Sequence, residues 1–76
     1  MARYDPHALF QMVRRGIQRE WVEAALRFPD EQEVRDNKRS FLKCHPERGK
    51  KLRVVTRIDD PQYGVTAYFD RRKPCA

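Results

Sequence analysis

Apolar side chains recur at two different intervals along this chain, and the interval changes near residue 30. In the first part Leu9, Met12 and Val13 fall at i, i+3 and i+4, one helical stripe, while His7, Gln11 and Arg14 fall on the roughly opposite side. Asp5 followed by Pro6 predicts the start of this helix, because the carboxylate can cap it and a proline at the first helical position lacks only an N–H that would be unpaired anyway. Gly16 predicts its end. Ile17 and Val22 stand where a hydrophobic staple brackets a second helix, and Glu20 suits the positive end of its dipole. Val22, Ala25 and Leu26 then face inward, Trp21 and Phe28 widen that surface, and Pro29 stops the helix. A helical hairpin over 5–29 is expected.

From Glu31 onward the apolar positions alternate. A weak strand around Glu33 to Arg35 leads through a polar turn at Asp36 and Asn37 to a strand from Ser40 to His45, and Pro46 to Gly49 form the next turn. Leu52, Val54, Thr56 and Ile58 share one face of a clear strand, with Arg53, Val55 and Arg57 on the other. After a turn at Asp59, Asp60 and Pro61, Tyr63, Val65, Ala67 and Phe69 alternate with Gly64, Thr66, Tyr68 and Asp70. Residues 31–70 thus predict antiparallel sheet, and residues 71–76 read as a frayed basic tail.

Short turns between consecutive strands favour a meander, and two amphipathic helices ahead of it must cover one sheet face. The expected fold is α+β: two N-terminal helices on one face of a three- to four-stranded antiparallel sheet, in two layers, as one domain over 1–76. The far face would display Arg53, Arg57, Thr66 and Tyr68.

Charge sharpens this picture. Between residues 38 and 57 eight cations, Lys38, Arg39, Lys43, Arg48, Lys50, Lys51, Arg53 and Arg57, face one anion, Glu47. Residues 1–30 carry five basic and four acidic side chains and residues 31–76 twelve and seven, so +5 of the net charge of +6 is placed on the sheet half. A basic pleated surface points to a polyanion, with nucleic acid the leading partner, although Lys and Arg also blunt exposed sheet edges. With 76 residues the chain buries only about 60% of its unfolded surface, so the core is small. No apolar run reaches the ~20 residues of a membrane span, and no signal-peptide pattern opens the chain, which gives an expectation of a cytoplasmic protein.

Two cysteines, Cys44 and Cys75, are too few for a disulfide framework and lack C-x-x-C spacing, and Cys44 reads as a small strand residue. Cys44 beside His45 is a weak ligand pair even with His7 and Cys75 added, so no metal is expected. Metal-independent RNA cleavage needs a proton acceptor, a proton donor and cations for the phosphorane. His7 in a first helical turn fits the first role, Arg53 and Arg57 the last, and Tyr68 can stack a base or share a proton. The two helices also fit a helix-turn-helix, but Arg19 and Arg27 on the second are offset by Glu20 and Glu23.

The ordered set His7-Ala8-Leu9, Arg15-Gly16-Ile17, Val22 with Ala25-Leu26, Pro29, Leu52-Arg53-Val54-Val55 and Val65-Thr66-Ala67-Tyr68 resembles the DUF4258 family over roughly residues 5–72. The resemblance implies a RelE-like and barnase-like ribonuclease-toxin fold. It maps the family's histidine, its arginine before glycine, its strand arginine and its threonine and tyrosine to His7, Arg15, Arg53, Thr66 and Tyr68. The chain departs from the pattern at Gln11, where a helix arginine is usual, and at Gln18, where a serine would cap the second helix. His7, Arg53, Thr66 and Tyr68 are therefore the candidate catalytic set. Arg14, Arg15, Lys43, Lys50, Lys51, Arg57, Arg71 and Arg72 are the candidate RNA contacts. An acidic antitoxin-like protein is a further candidate partner, and neither a cofactor nor a membrane is implied. The competing expectations are a non-catalytic nucleic-acid module and a protein-interaction module.

Overall fold

A computed structural model describes residues 3–75 of the chain. In chain order the elements are β1 (Arg3–Tyr4), α1 (Pro6–Arg15), α2 (Arg19–Arg27), β2 (Glu31–Arg35), β3 (Lys38–His45), β4 (Lys50–Arg57) and β5 (Asp60–Pro74). They form a five-stranded sheet ordered β1-β5-β4-β3-β2. The meander β2 to β5 is antiparallel as expected, but β1 adds a fifth strand parallel to β5 and makes the sheet mixed. Two residues are too short a run to show an alternation, which is why β1 is invisible in the sequence.

The cap of α1 is as expected: Asp5 accepts a hydrogen bond from the backbone N–H of His7 at 2.8 Å. At the other end Gly16 adopts φ +68°, and the N–H of Ile17 donates to the carbonyl of Met12 at 2.9 Å. This is a Schellman closure, and Met12 and Ile17 bury together beneath it. α2 starts at Gln18 with no side-chain cap and ends before Pro29. Asp36 and Asn37, with φ of 52° and 62°, form the two-residue turn between β2 and β3, a left-handed pair that Asp and Asn tolerate.

Both helices lie on one sheet face. There Met12, Ile17, Val22, Ala25, Leu52, Val54 and Ala67 form the core, with Tyr4, Trp21, Leu26 and Phe69 around it. Gly64 lets the Tyr4 ring approach the sheet, since a Cβ there would stand 2.9 Å from that ring.

Three expectations are corrected. α1 presents Ala8 and Met12 to the sheet, leaving Leu9 and Val13 outside: the small Ala8 allows close approach to β5, so this stripe wins over the bulkier one. Phe28, the cap residue of α2, is exposed rather than inward. The tail is not frayed, because β5 runs to Pro74 and Cys75 forms a disulfide with Cys44, contrary to the reading of Cys44 as a plain strand residue. Ala76, the end of that tail, lies outside the described residues. Between Lys51↔Asp70 and Lys50↔Pro74 the register slips, and the bulge of Arg71, Arg72 and Lys73 takes up the difference.

A candidate anion-binding site on the open sheet face

Alternation along each strand decides which side chains meet on the face without helices. In β4 these are Lys51, Arg53, Val55 and Arg57, and their cross-strand partners are Cys44, Leu42, Ser40 and Lys38 on β3 and, for the first three, Asp70, Tyr68 and Thr66 on β5. The same phase places Glu31, Glu33 and Arg35 of β2 on this face, opposite Leu42, Ser40 and Lys38.

Arg53 is at the centre and only 9% exposed. Its Nε and one terminal nitrogen each stand 2.9 Å from Oδ2 of Asp70, and its other terminal nitrogen donates to Glu33 at 3.0 Å. Lys73 bridges Glu33 at 3.0 Å and Glu31 at 3.4 Å, and Lys51 donates to Glu31 at 3.0 Å. Asp70, 3% exposed, also accepts the backbone N–H of Arg72 at 2.9 Å. Leu42 is fully buried with no helix over it, so the long charged side chains around it form its roof. The open cation expected at Arg53 is instead a paired and buried one.

At the edge of this network Glu33, Arg35, Arg53, Asp70, Arg72 and Lys73 line a cleft of about 230 Å³. Four cations face two carboxylates, and both carboxylates are already engaged. Arg35 and Arg72 are exposed, Arg72 with its Nε 3.6 Å from Asp70, so the cation excess of the cleft lies at its mouth. Tyr68 stands beside Arg53 across the strand pair. Arg15 reaches from the end of α1 past the sheet edge, donating to the Ala67 carbonyl at 2.8 Å with its guanidinium carbon 5.8 Å from the centre of the Tyr68 ring.

The structure thus brings Arg53, Tyr68, Thr66 and Arg15 together but not His7, which starts α1 on the opposite side of the sheet. The expected RNA contacts divide as well. Lys51, Arg72 and Arg57 are on the open face, Lys51 paired with Glu31 and Arg72 3.6 Å from Asp70. Arg57, at the other end of β4, holds Asp59 at 3.1 Å. Lys50 and Arg71 are exposed at the end near the cleft. Arg14 is exposed on α1, and Lys43 lies on the helix side, donating to the carbonyl of Phe28 at 3.0 Å. The sequence reading missed Arg35 and Lys73 and the three carboxylates that organise the face. The signal was the matched phase of Glu31-x-Glu33-x-Arg35 and Lys51-x-Arg53, which shows only once the strands are in register. Cys44 and His45 point to opposite faces, where Cys44 meets Cys75 and the tilted His45 ring packs on Trp21 with ring centres 4.4 Å apart, so the two do not form a shared ligand pair.

The network sets the titration of its members. Burial pushes the Asp70 carboxyl up, but the Arg72 N–H and the Arg53 guanidinium outweigh it and hold it below the usual carboxylate range. Lys51 lowers Glu31, and Lys73 with Arg53 lowers Glu33. A carboxyl depressed in the folded state contributes stability that is complete above its unfolded value of about 4 and is lost as pH falls through its folded value. Urea unfolding is therefore expected to give a constant free energy from pH 7 to about 5 and a steady decline below about 4. A free energy at pH 3 equal to that at pH 7 contradicts this account.

A two-layer α+β protein with a helix-free face carrying a cationic cleft is the class these features define. The chain matches the family model described as a domain of unknown function, DUF4258, over residues 4–69, and it belongs to that family. Neither a curated protein nor a solved structure matches it. No helix among the described residues is long and apolar enough to cross a membrane.

Proposed function

We propose that this protein holds single-stranded RNA against its open sheet face, with a phosphate seated at the cleft formed by Arg35, Arg53, Arg72 and Lys73. The observation that carries the reading is the excess of cations in that cleft beside an accessible aromatic ring. Arg53 is fixed in place by Glu33 and Asp70, so its guanidinium loses little freedom when an anion approaches, while Arg35 and Arg72 supply mobile charge. Tyr68 offers a face on which a base can stack. Two helices behind a sheet with its other face open is also the arrangement of RelE-like ribonuclease toxins, which supports RNA as the polyanion. Holding fits better than cutting, because the candidate base His7 is across the sheet from the cleft.

Fluorescence anisotropy with a labelled oligouridine tests the reading. Arg35→Glu and Arg72→Glu are each expected to weaken binding about tenfold, and log K is expected to fall with log salt at a slope of about −0.7 for each phosphate neutralised. Salt-independent binding, or an Arg14→Glu variant that loses as much affinity as Arg72→Glu, overturns it.

A further inference from the structure

The outer side of α1 is apolar as well as its inner side. Leu9, Phe10 and Val13 are 37%, 59% and 83% exposed, and at 100° per residue they span one arc of the helix with Pro6 between them. Single exposed apolar residues are ordinary, but three large ones adjoining on one helix form a patch, and patches of this kind mark contact surfaces. The fold does not require this patch, since α1 is anchored through Ala8, Met12 and the Arg15 bond to Ala67.

Charge selects the occupant. Residues 6–19 contain no acidic side chain and carry His7, Arg14, Arg15 and Arg19. Arg14 is exposed and borders the apolar arc on the same outward side. A second copy brings the same helix, so Arg14 and Arg15 would meet only cations in either orientation. Nucleic acid answers the charge but leaves Phe10 and Val13 against a polar backbone. A helix with an apolar stripe flanked by carboxylates answers both, and helix-on-helix packing is the way an exposed helix face is covered.

We infer that the outer face of α1 docks an acidic amphipathic helix of a partner protein, with Leu9, Phe10 and Val13 as the apolar contact and Arg14 as the pairing cation. The site is separate from the RNA cleft, which opens on the other side of the sheet.

The test uses the full chain and two synthetic helical peptides of about 18 residues that share one leucine stripe, flanked by glutamates in one and by lysines in the other. Titration followed by amide chemical shifts is expected to show binding of the glutamate peptide only, with shifts centred on residues 6–14. Phe10→Asp or Val13→Asp is expected to weaken it by about tenfold or more, and Arg14→Glu to reverse the preference between peptides. Phe10 and Val13 are solvent-facing, so thermal unfolding and oligouridine affinity of Phe10→Asp and Val13→Asp stay at the native values. Absence of binding, equal binding of both peptides, indifference to Val13→Asp, or a dimer of the chain that Val13→Asp dissolves each overturns the inference. None of these outcomes bears on the RNA reading.

Discussion

Arg53→Met lowers the unfolding free energy by about 3–5 kcal/mol, the usual loss when one partner of a buried ion pair is removed. The cost is that of Asp70, 3% exposed, left with only the Arg72 N–H and the exposed Arg72 guanidinium, 3.6 Å away, to answer its charge. For a domain of this length the whole stability is about 4–11 kcal/mol, so the variant stands near the edge of folding. The companion variant Arg53→Met with Asp70→Leu separates charge from packing. Two apolar side chains of similar volume need no partner, and the double variant recovers most of the loss. Urea titration followed by the fluorescence of Trp21, the single tryptophan, measures both. A loss below about 1 kcal/mol for the single variant shows that Asp70 is relieved by solvent and removes the case for a fixed Arg53.

Cleavage of the Cys44–Cys75 bond is the second large effect. The two residues are 31 apart, and closing a loop of that length removes unfolded-chain entropy equivalent to about 3–4 kcal/mol. At about 4–8 °C per kcal/mol for a small domain, reduction or Cys75→Ser lowers Tm by roughly 12–32 °C. In the native state the bridge lies beside the Cys75 N–H bond to Gly49 and the pairing of Pro74 opposite Lys50, which are the contacts its loss frees first. Calorimetry with and without a dithiol measures the shift, and an unchanged Tm in Cys75→Ser rules out the entropic account. The bond also links stability to compartment, because a reducing cytoplasm keeps such thiols apart and an oxidising space joins them.

The elements that rest on local chemistry were legible in the sequence. Asp5-Pro6, Gly16 and Pro29 bound the helices where their capping and breaking properties place them, and Asp36-Asn37 turns the chain between β2 and β3. What escaped depends on partners distant in the chain. The choice between the Ala8–Met12 stripe and the Leu9–Val13 stripe is made by β5, over fifty residues away, and the more hydrophobic pair loses. The eight cations of residues 38–57 read as one basic surface only while Glu31, Glu33 and Asp70 are left out of register with them. Once paired, the net charge of the open face shrinks to one cleft. Strand alternation placed Arg53, Thr66 and Tyr68 on a common face, whereas the linear DUF4258 motif does not say on which side of the sheet its first residue, His7, will lie.

Arg15 has a consequence for solubility. β1 covers β5 only at Tyr63 and Gly64, so the rest of that long outer strand is a margin with unpaired backbone groups. A guanidinium fastened to the Ala67 carbonyl occupies one acceptor there and sets a fixed positive charge where another ribbon would have to align. The same side chain that approaches the Tyr68 ring therefore also works as a stopper against growth of the sheet from one molecule into the next.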